Sequence, residues 1–132
     1  MMTANHTSRL LGIAALLAAI FAAPLAEAQK TTERYIPIGQ SPGVSNVLTV
    51  VGTVGSTDPQ RRSITIATPS GPLTAVIRAE ADIWIDRSKL RETNLNGNFT
   101  DLQSGRTVEI KFQNADRRQV VDWVKVAAPG SP

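Results

Sequence analysis

Cysteine is absent from this chain of 132 residues, and the one histidine, His6, lies in an N-terminal segment that we expect to be removed. The rest of the chain therefore cannot use thiol catalysis, a histidine-dependent nucleophilic triad, or the imidazole and thiolate ligands that zinc and copper sites prefer. Phosphate-binding motifs of the G-x-x-x-x-G-K and G-x-G-x-x-G types are missing as well. The sequence predicts no metal, no cofactor and no enzymatic activity.

Carboxylate chemistry is the remaining catalytic option, and its best-placed pair is Asp82 and Asp86. Both would point to one face of a short strand, with Cα atoms about 13 Å apart at roughly 3.3 Å per residue. The carboxyl pairs of glycosidases stand roughly 5 to 9.5 Å apart. The spacing is therefore more typical of a solvated strand face than of a catalytic pair.

The N-terminal segment, residues 1–28, has the parts of a secretory signal peptide. A short positive end precedes an uninterrupted apolar run, Leu10–Ala23, which is shorter than the roughly 20 residues that span a bilayer. Ala26–Ala28 then fits the small-x-small cleavage rule, so the mature chain would begin at Gln29. Removal takes away one basic and one acidic residue and leaves the net charge at +3. We predict a bacterial periplasmic or secreted protein whose mature chain has no transmembrane segment.

Residues 29–46 hold several prolines and glycines without a sustained period, which is typical of an extended arm. Tyr35, Ile36 and Ile38 are apolar residues that a free tail would not need. Two interpretations are open. These side chains dock on the chain's own barrel and cover an edge, or they bind a partner protein to which the arm adds a strand.

Short alternating or β-branched segments make up the rest of the chain, and they predict strands joined by turns. The clearest alternation, at Thr107–Gln113, forms a predicted hairpin with the apolar run that follows it. Gly52 predicts a bulge or a sharp bend in the first strand. The principal strands are Val47–Val54, Ser63–Thr68, Leu73–Arg78, Thr107–Gln113 and Gln119–Val126, with a short extended piece within Ala79–Asp86.

Three strands in meander order, a longer connection and a closing hairpin match the OB-fold, a small five-stranded, partly open β-barrel. The predicted fold class is therefore all-β, with an OB-fold-like barrel at residues 47–128 and a C-terminal tail at 129–132. A small sandwich with an extra strand at 81–85 is the alternative.

Several motifs resemble those of small exported bacterial OB-fold-like β-barrel domains of unknown function. They are G-x-V at Gly52–Val54, I-x-I at Ile64–Ile66, D-L-x-x-G-x-x-V at Asp101–Val108, and a closing apolar strand. The resemblance extends over residues 50–126 and implies the barrel fold and export. It implies no catalytic residue.

Two arginine pairs, Arg61–Arg62 and Arg117–Arg118, occupy two predicted hairpin turns. In an OB-fold the corresponding loops flank one face that takes oligonucleotides or oligosaccharides. Arginine suits phosphate, sulfate and carboxylate groups, and Trp84 and Trp123 could stack on bases or sugar rings. The alternative is that the arginines are solubilising tips and the tryptophans fill the core.

The predicted function is a non-enzymatic binding or accessory module that uses this arginine-flanked face for an anionic ligand, such as a polysaccharide or a nucleic acid. The alternative is a structural subunit of a cell-envelope complex that contacts its partner protein through the N-terminal arm.

Overall fold

A computed structural model describes residues 32–41, 49–114 and 116–131 of the chain. The predicted signal peptide at 1–28 lies outside the described residues, as do the parts of the predicted arm and first strand at 29–31 and 42–48. The chain divides after Glu33, and the barrel belongs to the unit Arg34–Pro132. Within this unit, residues 34–41 are called the arm segment below.

From Thr49 to Ser131 the described part of the chain folds into strands with two single turns of 3-10 helix between them. The 3-10 turns are Ser88–Leu90 and Phe99–Asp101. The strands are β1 (Thr49–Asp58), β2 (Ser63–Thr68), β3 (Gly71–Asp86), β4 (Leu95–Asn96), β5 (Thr107–Asn114) and β6 (Arg117–Ala127).

Five of these strands form a closed ring. β1 pairs with β2 and β5, β5 pairs with β6, β6 pairs with β3, and β3 returns to β2. The β3–β6 pairing is parallel and the others are antiparallel. β4 is an extra strand that pairs with the last part of β3. The prediction of an all-β, five-stranded, OB-fold-like barrel is confirmed.

The predicted third strand and the extended piece after it are one continuous strand, β3. It pairs with β2 over Gly71–Val76, and with β6 at Val76–Ile77 and again over Asp82–Asp86. The register with β6 shifts between Ile77 and Asp82. Such an irregularity bends a strand, and barrels need bends of this kind to close.

The sequence predicted a bulge or a sharp bend at Gly52. The register of β1 against β2 shifts between Val54 and Ser56, so the bulge lies two to four residues further along the strand. Gly52 has a different role, because a Cβ atom there would lie 2.5 Å from the carbonyl oxygen of Ala67. The backbones of β1 and β2 approach each other too closely at this point for a side chain.

The barrel interior is filled by the apolar residues that alternate along its strands. Its fully or almost fully buried members include Ile64, Ile66, Ile77, Val108, Ile110, Phe112, Val121 and Val124. Residues on the opposite face of β3, β5 and β6 are buried too, including Trp84, Glu109, Trp123 and Lys125. Alternation alone would leave that outer face in water, so something else covers it.

Candidate functional site

The first predicted arginine pair lies at the turn between β1 and β2. Arg61 has a side chain that is 85% exposed, and its Nε atom lies 4.0 Å from a carboxylate oxygen of Asp58. Arg62 is used structurally: its Nε donates to the carbonyl oxygen of Ile77 at 3.1 Å, and its guanidinium lies 5.5 Å from the centre of the Phe99 ring. Arg61 is thus available to solvent, whereas Arg62 packs against the barrel.

The second pair begins β6, and both of its arginines are exposed. Arg118 lines a depression of about 590 Å³ between the start of β1 and the turn from β2 to β3. We call it the Arg118 depression. Its other lining residues are Thr49, Val50, Val51, Thr68, Pro69, Ser70, Gly71, Pro72 and Leu73.

The two arginine pairs lie in different turns of the barrel. Arg62 directly precedes Ser63, the first residue of β2, whereas Arg118 is near the start of β6 and lines the Arg118 depression. The other three arginines are not among the residues that line this depression. The ligand-binding role of each of the four remains a prediction.

Trp84 and Trp123 lie side by side on the outer face of β3 and β6. They are 4% and 1% exposed, and their ring centroids are 5.4 Å apart at an interplanar angle of 41°. The Lys125 ammonium lies 4.7 Å from the centre of the Trp123 ring. Both rings are covered in this structure, so stacking on a ligand stays a prediction that requires them to be uncovered.

The arm segment crosses the outer face of the barrel and is held there by hydrogen bonds. Asn94 Nδ2 donates to the carbonyl oxygen of Arg34 at 2.8 Å, and the Ile38 N–H donates to Asp86 Oδ2 at 2.9 Å. Further along, the Gly39 N–H donates to an oxygen of Glu109 at 3.4 Å. The outer face of β3, β5 and β6 is therefore covered by a segment that lies far away in sequence.

A buried ion pair lies beneath the end of the arm segment. The Lys125 ammonium is 3.8 Å from Glu109 Oε1, and neither side chain has any exposed surface. Ser41 joins the pair, since its hydroxyl accepts from Lys125 Nζ at 2.7 Å and donates to Glu109 Oε1 at 3.4 Å. A buried ion pair needs such additional hydrogen bonds to offset the cost of removing two charges from water.

Asp86 connects the end of β3 to both the arm segment and the following 3-10 turn. Its two oxygens accept from the Ile38 and Ser88 N–H groups, each at 2.9 Å. Burial, the largest single influence, raises the pKa of this carboxyl. The Ser88 hydroxyl, the Ile38 and Ser88 N–H groups and the charge of Lys125 together outweigh burial and bring the pKa below its ordinary value of 3.8.

We call the surface formed by Asp86, Asn94, Glu109 and Lys125 the arm groove. Sequence reasoning missed it because these residues belong to the polar face of their strands or to a loop. The one signal was the predicted hairpin, whose register places Glu109 directly opposite Lys125. Opposite charges at such positions attract each other, but nothing in the pattern indicates that both are buried.

The three predicted partner-binding residues lie in the arm segment and have different environments. Tyr35 is 52% exposed, and the Arg34 guanidinium lies 5.4 Å from the centre of its ring. Ile36 and Ile38 are half-buried. Of the two interpretations, docking on the chain's own barrel is what the structure shows for residues 34–41, and binding of a partner protein stays a prediction.

Within 32–41, 49–114 and 116–131, no three or more His, Cys, Asp or Glu residues are grouped so as to hold a metal ion. No helix in these ranges has the length and apolar character required to cross a membrane.

Comparison with known proteins gives two similar solved structures, both of CusF from Escherichia coli. One, a tryptophan-to-alanine variant with Cu(II), has a TM-score of 0.43 and 13% identity over 61% of this chain and 91% of that chain. The other, apo-CusF, has a TM-score of 0.41 and 16% identity over 68% of this chain and 98% of that chain. No family model and no curated protein matches the chain. The likeness to CusF assigns no ligand and no site residue to this protein.

Proposed function

We propose that the chain is a non-enzymatic, exported binding module that takes an anionic ligand in the Arg118 depression. The observation that carries this proposal is the chemical make-up of the depression. It combines the cationic Arg118 with hydroxyl groups and with the apolar side chains of Val50 and Leu73, and none of its described lining residues is acidic. Export rests on the predicted signal peptide at residues 1–28.

The make-up of the depression favours a ring with an attached anionic group. A guanidinium can form two parallel hydrogen bonds with a phosphate, sulfate or carboxylate, and hydroxyl groups can bond sugar oxygens or phosphates. The volume of about 590 Å³ lies in the range typical of small-ligand sites. An acidic polysaccharide or a nucleic acid offers this combination.

The experiment compares two variants of equal charge on heparin and on single-stranded DNA. Arg118→Ser removes the cation from the depression, whereas Arg61→Ser removes an exposed cation from the turn between β1 and β2. We expect Arg118→Ser to elute from one of the two matrices at clearly lower salt. The slope of log affinity against log salt should fall by about 0.7–0.9 for each phosphate contact that is lost.

Melting temperatures of both variants should match that of the parent chain, since both arginines are exposed. Equal shifts in elution for the two variants would show that only net charge matters, and the proposal would fail. A shift confined to heparin or to DNA would identify the ligand class.

A second candidate function is a structural subunit that contacts a partner envelope protein through the arm. Tyr35 favours it, because its ring is 52% exposed although the flanking residues are tied to the barrel. Tyrosine is enriched among residues that dominate protein interfaces. Tyr35→Ser should abolish co-purification of a defined envelope protein and leave stability unchanged. Leu90→Ser, which alters another exposed apolar residue, should retain the partner.

A further inference from the structure

The arm groove holds the arm segment mainly through main-chain groups. The groove's side chains bond the Arg34 carbonyl and the Ile38 and Gly39 N–H groups, and Ser41 contributes the one hydroxyl that joins the ion pair. Main-chain N–H and C=O groups are present in any peptide. Hydrogen bonds to these main-chain groups give peptide-binding domains their affinity for extended ligands.

The groups that contact the arm segment are positioned by the barrel itself. Asp86 Oδ1 accepts from the Ser88 N–H at 2.9 Å, and Asn94 Oδ1 accepts from the Arg87 N–H at 2.7 Å. Glu109 and Lys125 are direct neighbours across β5 and β6. Each group therefore keeps a local partner that orients it without the arm, and a preorganised site of this kind loses little entropy on binding.

The arm segment and the arm groove belong to the same chain, so the binding of one to the other is intramolecular. The arm segment ends at Ser41, which bonds Glu109, and Glu109 pairs with Val51 near the start of β1. Residues 42–48 therefore link two points that lie close together. A covalent connection of seven residues raises the effective concentration of the arm segment at the groove, so even a weakly binding segment would occupy it.

We propose that the arm groove is a peptide-binding site and that residues 34–41 occupy it as an exchangeable ligand. The competing occupant is the same segment of a second copy of this chain. Exchange of this segment between two copies would produce an arm-swapped dimer. Such a dimer forms at low free-energy cost, because it uses the same contacts as the monomer. This site is separate from the Arg118 depression, and its test does not involve an anionic ligand.

The test uses the mature chain, residues 29–132, with a protease recognition sequence placed within residues 42–48. After cleavage both fragments remain in solution, and a fluorescently labelled peptide of residues 34–41 is titrated in. Binding is followed by anisotropy and by intrinsic fluorescence, which reports on the groove because the two tryptophans of the sequence are Trp84 and Trp123. Circular dichroism records whether the cleaved barrel stays folded.

We expect saturable binding to the cleaved chain, and binding to the intact chain that is at least about tenfold weaker because the tethered arm competes. A peptide with an N-methyl group at Ile38 lacks the donor to Asp86 and should bind about tenfold more weakly than the unmodified peptide. The barrel variant Asn94→Ala should show a similar loss. Asn96→Ala, an exposed neighbour on β4, should not.

Three outcomes would overturn the proposal. A cleaved barrel that remains folded but binds no peptide would show that the groove has no affinity of its own. Equal affinity of the cleaved and intact chains would place the peptide elsewhere on the molecule. Unfolding of the barrel on cleavage would make residues 34–41 an integral part of the fold, which they cannot be if they exchange.

Discussion

The inside of the barrel and its arm-covered outer face are buried to the same extent but by different means. Phe112 inside and Lys125 outside are 1% and 0% exposed. The interior is apolar and excludes water through side chains of neighbouring strands. The outer face holds the Glu109–Lys125 ion pair and one further carboxylate, that of Asp86, and residues 34–41 cover it. Water is therefore excluded from the outer face by the arm segment, and the strands of the barrel would not exclude it by themselves.

This difference indicates that the barrel interior determines the fold and that the arm groove adds specificity. Apolar burial is non-directional and roughly proportional to area, so the interior can tolerate repacking. Hydrogen bonds and ion pairs are directional, and a missing partner costs more than the pair contributes. The arm groove therefore fixes the position of residues 34–41, whereas the interior supplies most of the stability.

The largest expected effect comes from the interior. Phe112→Ala removes a large side chain that is 1% exposed, and substitutions of this kind cost about 3–5 kcal/mol. Urea denaturation of the mature chain measures the loss. A cost below that of the next variant would contradict the view that the interior supplies most of the stability.

The second-largest expected effect comes from the buried ion pair of Glu109 and Lys125. Lys125→Met leaves the buried Glu109 carboxylate without its cation, which costs about 3 kcal/mol. The combined change of Lys125→Met with Glu109→Leu removes both charges and should recover much of this loss. Denaturation of the two variants gives the comparison. If the double variant is the less stable one, the pair contributes through its packing and not through its charges.

Sequence patterns allowed the interior to be predicted, because the residues that fill it alternate within single strands. Ile64 and Ile66 of β2 are examples, and both are almost fully buried. The continuity of β3 was missed because Ala79–Asp82 alternates only alanine with acidic residues, and these residue types are depleted in strands. The fold class could thus be predicted from local patterns, whereas the continuity of β3 through a stretch of alanine and acidic residues could not.

The arm groove could not be predicted from the sequence, for a related reason. Lys125 is hydrogen-bonded to a residue 84 positions away, and no local pattern carries that information. Trp84 and Trp123 were predicted to be ligand platforms or core residues. The structure buries them on the outer face of the barrel, and stacking on a ligand stays a prediction. The position of the Arg118 depression likewise depends on which turn meets the start of β6, which follows only from the closed ring.

A smaller effect tests the first contact of the arm. Asn94→Ala removes the donor to the Arg34 carbonyl and the acceptor for the Arg87 N–H, so we expect a loss of about 1–2 kcal/mol. Thermal unfolding measures it, and protease cleavage near residues 34–41 should become faster. The control is Asn96→Ala, which alters an exposed residue of β4 and should stay within about 0.5 kcal/mol of the parent chain.

The smallest effect is a dependence on pH. The pKa of Asp86 in the folded chain lies below its ordinary value of 3.8, so the folded state binds protons less readily than the unfolded state. Its contribution to stability is present above pH 3.8 and is lost as the pH falls through the lower, folded pKa. Asp86→Asn keeps a hydrogen-bonding side chain without the charge, and the parent chain should be more stable than this variant by about 1 kcal/mol at neutral pH.

Urea denaturation of the parent chain and of Asp86→Asn at several pH values measures this difference in stability. It should be constant from pH 7 to about pH 4 and should shrink on further acidification. A difference that grows with acid would mean that the Asp86 carboxyl is held by its neighbours in the protonated form, and the arm groove would then be organised by a neutral acid.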